Sequence, residues 1–244
     1  MWGALITALW SALAAKAGAE PPAVAAGPVV PATVPPTPGR CPAAQAAVRE
    51  FFIAADCSAC WGEAEAEARP LPGWRFDWIV PMAADAAMAV AAPPEAAERA
   101  ERLAGAPGLP APTALAAQTS HHWPALAKPR WPALSVVSGP AWQGYIGVEL
   151  SLRKVGTRRW PAGSSAWIAL VEQVDAGSEG TSVARALVRT VAGPLPLPQA
   201  GGPPLKHLRA LRWPATALPE RLQARAWAEG PDGKLLAVTA DRCP

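Results

Sequence analysis

The stretch Val48-Arg-Glu-Phe-Phe-Ile-Ala-Ala-Asp-Cys-Ser-Ala-Cys60 carries the strongest structural signal in the chain. Its first half, residues 48–54, is short, aromatic and β-branched, which predicts a buried strand. Residues 61–69 that follow the cysteines are good helix formers and end before Pro70. The sequence therefore predicts a Cys-x-x-Cys motif at the junction of a strand and a helix.

The two cysteines of this motif predict a pair of unequal thiols. Free backbone N–H groups at the start of a helix stabilise a thiolate, so Cys57 is the expected nucleophile and Cys60 the resolving cysteine. Asp56 precedes Cys57, and a carboxylate at that position opposes thiolate formation. Redox-active and structural interpretations of the pair therefore both stay open.

Two further elements follow the motif in the same half of the chain. Residues 74–80, which are mostly aromatic and apolar and stop at Pro81, predict a second strand. Residues 93–103 predict a second helix, with proline in its first turn and Gly105 beyond its end.

The order strand, Cys-x-x-Cys, helix, strand and helix resembles the active-site region of thioredoxin-like proteins. The Phe51-Phe52 pair, the motif itself and the strand that ends at Pro81 carry the resemblance. The whole chain resembles secreted bacterial thioredoxin-like proteins of unknown function with an appended β-sandwich. In thioredoxins a cis-proline faces the cysteines, and the resemblance implies Pro132 as the candidate for that position.

The second half of the chain has a different pattern. Residues 105–140 are rich in proline and show no clear period, whereas Ile146, Val148, Leu150 and Leu152 alternate with small or polar residues. Five more short runs follow, at residues 166–171, 183–191, 205–211, 221–227 and 234–239. Pro231-Asp-Gly233 between the last two is a hairpin signal. We therefore predict an α+β protein, with a thioredoxin-like α/β region followed by a small antiparallel β-sandwich.

The N-terminal segment predicts export. Residues 1–15 are apolar and uncharged, and Ala17-Gly18-Ala19 is a small-x-small cleavage pattern, so residues 1–19 are interpreted as a signal peptide. The absence of Lys and Arg before the apolar run leaves an uncleaved anchor as the alternative. The predicted domains are then a Pro/Ala-rich linker at 20–40, a thioredoxin-like domain at 41–138 and a β-sandwich-like domain at 139–244.

The cysteine count fits a periplasmic or secreted protein. The chain has four cysteines, and an even number in an exported chain indicates disulfides. Cys57 and Cys60 are close enough to pair with each other, which leaves Cys41 and Cys243 as a structural disulfide. We expect no stable membrane span after the signal peptide is removed.

Composition excludes several function classes. The net charge is +3 and only 17% of residues are charged, so the chain lacks the basic field that nucleic acids require. No nucleotide-binding or hydrolase motif is present, and we expect no cofactor. His121-His122 together with the cysteines could ligate a metal, but adjacent histidines in a proline-rich segment are better explained as solvated residues, so no metal site is predicted.

Two functions follow from these observations. The first is thiol–disulfide exchange on protein thiols or disulfides by an oxidoreductase that uses Cys57 and Cys60. The second is a non-enzymatic envelope-associated binding or structural module in which both disulfides are structural. A surface of Trp-Pro pairs that stacks on peptides or glycans would suit the second function, although tryptophans that fill small cores and edges are the better explanation of those pairs.

Overall fold

The computed structural model describes residues 47–62, 73–81, 88–105, 113–115, 118–123, 133–153, 159–197 and 204–242. These ranges contain eleven strands and two α-helices. In chain order the elements are β1 Ala47–Ala54, α1 Ser58–Gly62, β2 Gly73–Val80, α2 Glu95–Gly105, β3 Thr113–Leu115, β4 Gln118–Trp123, β5 Ala133–Trp142, β6 Tyr145–Arg153, β7 Ser165–Val174, β8 Arg185–Pro196, β9 Leu205–Arg212, β10 Leu222–Glu229 and β11 Leu235–Ala240.

Eight of the strands form one mixed sheet, and three form a second sheet. The large sheet has the order β11-β10-β7-β8-β2-β1-β4-β3, and the small sheet has the order β5-β6-β9. The pairs β1–β2 and β2–β8 are parallel, whereas β4 joins β1 in antiparallel orientation. The large sheet thus takes strands from both sides of residue 138.

The predicted α+β class with a thioredoxin-like α/β region is wrong. The described chain is dominated by strands, and α1 and α2 are its only α-helices within the described ranges. The strand and helix patterns were locally correct for β1, β2 and α2, but local patterns carry no information on which strand edges meet. In the structure β2 pairs with β8, and part of the proline-rich region forms β4, which pairs with β1.

The small sheet packs against one face of the large sheet in a sandwich-like arrangement. It is not the small antiparallel sandwich predicted for residues 139–244, because the large sheet is mixed and includes β1 to β4. Alternating residues Val148, Leu150 and Leu152 of β6 are buried against Ile168 and Leu170 of β7. The alanines of β10 that face this layer are also buried, and small side chains there allow the two sheets to approach closely. The hairpin predicted at Pro231-Asp-Gly233 joins β10 to β11.

The opposite face of the large sheet curves around α2. Arg99 of α2 contacts both Glu50 on β1 and Glu229 on β10, although three strands separate β1 from β10 in the sheet. In a flat sheet those strands would lie about 19 Å apart. The sheet is therefore strongly curved, and the buried rings of Trp78, Trp167 and Trp227 line the concave side together with α2.

Arg99 and its two carboxylate partners form a buried ion cluster on this concave side. The Arg99 guanidinium donates to Glu50 Oε1 at 2.6 Å and also to Glu229. Burial alone would lower the pKa of Arg99, but the charges of Glu50 and Glu229 and their hydrogen bonds together raise it above its ordinary value. Three tryptophan indole N–H groups also donate to these carboxylates, so the cluster is well satisfied.

Candidate functional site

The Cys-x-x-Cys motif lies at the end of β1 and forms a disulfide. Cys57 and Cys60 are bonded to each other, with their Cα atoms 5.3 Å apart. Both cysteines are half-buried, whereas Asp56, Ser58 and Ala59 are exposed. The motif therefore lies at the surface of the protein, with its cysteines partly covered.

Backbone hydrogen bonds hold the turn that carries the motif. The Cys57 N–H donates to the Ala54 carbonyl at 3.2 Å, and the Trp61 N–H donates to the Cys57 carbonyl at 3.2 Å. The buried Trp61 side chain adds an anchor, because its indole N–H donates to the Ala54 carbonyl at 3.0 Å. Trp61 packs with Phe51 and Ile53 in the cluster beneath the motif, so α1 is fastened to β1.

One hydrogen bond makes the two sulfurs unequal. The backbone N–H of Cys60 donates to Cys57 Sγ at 3.2 Å. A hydrogen bond to the charged form of an acid favours that form, so this donor would stabilise a Cys57 thiolate after reduction. Asp56 opposes that effect, but it is exposed to solvent, which screens its charge.

Arg185 reaches the motif from the first position of β8. Its Nη2 donates to the Cys60 carbonyl at 3.1 Å, and its guanidinium lies 5.7 Å from the centre of the Trp61 ring. Nη1 of the same side chain lies 3.5 Å from Asp77 Oδ1. A buried arginine therefore connects the motif to the centre of β2.

The loop between β7 and β8 covers the end of α1. The Ser182 N–H donates to the Trp61 carbonyl at 3.4 Å, and the Ser182 hydroxyl donates to the Gly62 carbonyl. Together with Arg185, this loop supplies donors to three successive carbonyls of α1, those of residues 60–62.

Asp77 is the fully buried carboxylate of this region. Arg75 Nε donates to both of its oxygens, at 2.9 and 2.8 Å, and the Ala186 N–H donates to Oδ2 at 2.7 Å. The Asp77–Leu187 pair is also where β2 meets β8 in register. Asp77 thus connects β2, from the first half of the chain, to β8, from the second half, directly behind the motif.

The sequence identified Cys57 and Cys60 but not Arg185, Asp77 or Ser182. Arg185 lies 125 residues beyond Cys60, and no local pattern marks it. Asp77 had a usable signal, since a carboxylate at the centre of a strand made mostly of aromatic and apolar residues requires a partner once it is buried. The remaining predicted site residues, Cys41, Cys243 and Pro132, lie outside the described residues.

His121 and His122 do not lie in the solvated segment that the sequence predicted for them. Both belong to β4 rather than to a solvated loop, and His121 is buried directly across from Glu50. Within the described ranges, no group of three or more His, Cys, Asp or Glu residues is arranged to hold a metal ion.

A shallow surface cavity and the lengths of the helices also bear on function. A shallow cavity of about 210 Å³ lies between residues 91–94 and 212–215, with Arg189 and Thr190 in its wall, and neither cysteine lines it. In the part of the chain that the structure describes, no helix is long and apolar enough to cross a membrane.

Comparison with known proteins adds little to this description. The sequence matches no protein-family model and no curated protein. Among solved structures, HBP35 of Porphyromonas gingivalis is similar with a TM-score of 0.47 and 10% identity, over 82% of this chain and 74% of that chain. A likeness of this size supports no inference about fold or activity. The class that the structure itself defines is a β-rich protein with a Cys-x-x-Cys disulfide at its surface.

Proposed function

We propose that the chain is an exported protein that exchanges disulfides with protein thiols through Cys57 and Cys60. The observation that carries the proposal is the hydrogen bond from the Cys60 N–H to Cys57 Sγ in a half-buried disulfide whose neighbours Asp56, Ser58 and Ala59 are exposed. This hydrogen bond would make Cys57 the better thiolate of the two. A disulfide is also compatible with a periplasmic or secreted location.

The exchange step follows ordinary disulfide chemistry. A thiolate of the partner attacks Cys57 Sγ, the Cys57–Cys60 bond breaks, and Cys60 leaves as a thiolate. A second partner thiolate then attacks the mixed disulfide and releases Cys57. The partner loses two electrons and forms a disulfide, while both cysteines of this chain become thiols after protonation. The reverse sequence reduces a partner disulfide.

The reduction potential of the Cys57–Cys60 pair tests the thermodynamic part of the proposal. The purified protein is equilibrated with glutathione, and free thiols are trapped and counted by mass spectrometry. We expect a reversible two-electron step between about −120 and −270 mV, the range of known exchange proteins. A potential below about −300 mV would identify a structural bond instead.

Trapping of an intermediate tests the assignment of the two roles. Cys60→Ser removes the resolving thiol, so a partner peptide with a disulfide should remain attached to Cys57. Cys57→Ser is the matched control and should accumulate much less mixed disulfide. Equal trapping by the two variants would contradict the assignment of Cys57 as the nucleophile.

A non-enzymatic binding module is the second candidate function, and the outer face of the small sheet favours it. Trp142 is 72% exposed, Leu208 is 70% exposed, and Val137 and Tyr145 on the same face are about half exposed. Large apolar side chains that are grouped on a surface often mark a contact with another protein. If the disulfide proves structural, this face becomes the first place to look for a partner.

A further inference from the structure

We propose that Asp56 is a specificity-determining residue of the Cys57–Cys60 pair, and that it favours partner cysteines flanked by lysine or arginine. This inference rests on the proposed exchange function and deepens it, because it names the charge of the partner. It predicts that the preference of Cys57 for a cationic over an anionic disulfide depends on the Asp56 carboxylate.

Asp56 lies in the turn between β1 and α1, directly before Cys57. It is exposed, and no described lysine or arginine forms an ion pair with it. The backbone of the turn is fixed, since the Ser58 N–H donates to the Asp56 carbonyl at 3.1 Å and the Cys57 N–H donates to the Ala54 carbonyl at 3.2 Å. Because neighbouring Cα atoms are about 3.8 Å apart, a charge next to the partner's sulfur can come within about 7 Å of the Asp56 carboxylate.

The loop between β7 and β8, which covers the end of α1, adds acidic residues and no basic ones. Residues 54–62 and 174–184 contain no lysine, arginine or histidine, and their acidic residues are Asp56, Asp175 and Glu179. Asp175 lies 3.5 Å from an Arg221 nitrogen, and Glu179 lies 2.6 Å from an Arg189 nitrogen. Asp56 is therefore the carboxylate of these two segments that is left for a partner chain.

The arginines that extend from β8 toward this region are covered by the protein. The side chains of Arg185 and Arg189 are 1% and 0% exposed, so a partner's carboxylate cannot form an ion pair with either guanidinium. An anionic partner thus finds no exposed cation in residues 54–62 or 174–184, whereas a cationic partner meets the exposed Asp56.

The size of the preference follows from the distance and the salt concentration. Two unit charges about 7 Å apart in water change a rate about 2.2-fold at an ionic strength of about 10 mM. A cationic partner gains this factor and an anionic partner loses it, so their rates should separate about fivefold. At about 1 M salt the Debye length falls to about 3 Å, and the preference should nearly vanish.

The test oxidises the reduced protein with three small disulfides: cystamine, which carries ammonium groups, dithiodipropionate, which carries carboxylates, and the neutral hydroxyethyl disulfide. The Cys57 thiolate attacks one probe sulfur, the S–S bond of the probe breaks, and one half leaves as a thiolate. Cys60 then displaces the other half, so the protein loses two electrons and the probe becomes two thiols. Trapping of the remaining protein thiols, counted by mass spectrometry, gives each rate.

The quantity compared between variants is the cystamine rate divided by the dithiodipropionate rate, because the intrinsic reactivity of each probe then cancels. We expect Asp56→Asn to lower this ratio about fivefold at about 10 mM ionic strength and to leave it nearly unchanged at about 1 M. Asp56→Lys should lower it about fivefold again at the lower ionic strength. A larger thiolate fraction of Cys57 in these variants would raise all three rates together, and the neutral disulfide measures that common change.

Glu149→Gln is the matched control. It also removes one carboxylate, but Glu149 belongs to β6 of the small sheet, where it binds Lys206 at 2.8 Å. The ratio should not change in this variant.

An unchanged ratio in Asp56→Asn, an equal change in Glu149→Gln, or a preference that persists at about 1 M salt would overturn the inference. The proposed function fails separately. A protein that shows the charge preference but has a reduction potential below about −300 mV would lose only the exchange function. A potential in the range of exchange proteins together with an unchanged ratio would overturn only the inference.

Discussion

Arg99 is one of the residues at which the two halves of the chain are joined by charge. Its guanidinium is 2% exposed and lies between Glu50 from the first half and Glu229 from the second. Two carboxylates held in an apolar interior require such a cation, since an unpaired buried charge is costly. The cluster therefore helps to fix the position of α2 on the concave side of the large sheet.

Replacement of Arg99 should destabilise the protein strongly. Arg99→Met leaves Glu50 and Glu229 buried without their cation, and we expect the free energy of unfolding to fall by about 3–5 kcal/mol. Denaturant unfolding followed by tryptophan fluorescence measures the change.

The neighbouring Arg102 provides the control for this prediction. It lies on the same helix with its guanidinium 4.5 Å from the centre of the Trp167 ring, but it is exposed. Arg102→Met should cost about 1 kcal/mol or less. Equal losses in the two variants would show that the ion cluster has no special role.

At the scale of single elements, the sequence predicted β8 only in part. The pattern predicted a run at residues 183–191, whereas β8 extends to Pro196 and contacts β7 and β2 along different parts of its length. The ends of β8 therefore depend on its neighbours rather than on its own alternation. Gly193 in this extension is the residue that allows the close contact with β7.

Substitution of Gly193 tests that contact. A Cβ atom at position 193 would lie 2.4 Å from Cε3 of the buried Trp167 ring, so the ring or the strand would have to move. We expect Gly193→Ala to lower the free energy of unfolding by about 1–3 kcal/mol, which is the usual cost of overpacking.

Gly147 of β6 is the matched position for this test. A Cβ atom there meets nothing within 4 Å, and the residue is exposed. Gly147→Ala should therefore change stability by no more than about 0.5 kcal/mol in either direction. A loss at position 147 as large as that at position 193 would contradict the assignment of the effect to the contact with the Trp167 ring.

Most elements were visible in the sequence, but the way they assemble was not. β1, β2, α2, β6 and the β10–β11 hairpin follow from local periodicity and turn residues, since each needs only its own side chains. β4 was missed because prolines flank its six residues and because a histidine such as His121 is not typical of a buried strand position. The partner opposite His121, Glu50, is known only from the structure. The disulfide partners at 57 and 60 were predictable from spacing, whereas Arg185 was not.

For the whole molecule, the question is whether the chain folds as two domains or as one. The sequence predicts a boundary between residues 138 and 139, and this boundary stays a prediction. The structure shows that one hydrophobic cluster contains Phe52 and Trp78 from the first half together with Trp167 and Trp227 from the second. Phe76 and Trp227 also meet edge to face, with ring centres 5.4 Å apart.

A shared core of this kind should unfold in one step. Loss of either half would expose the buried rings and the ion cluster of the other, so neither half has a complete core of its own. We expect a single calorimetric transition whose van't Hoff and calorimetric enthalpies agree, with coincident changes in far-UV circular dichroism and tryptophan fluorescence. Two separate transitions, with Arg99→Met lowering the midpoint of only one, would favour two domains. In that case, the contacts between β2 and β8 would behave as an interface between domains rather than as part of one core.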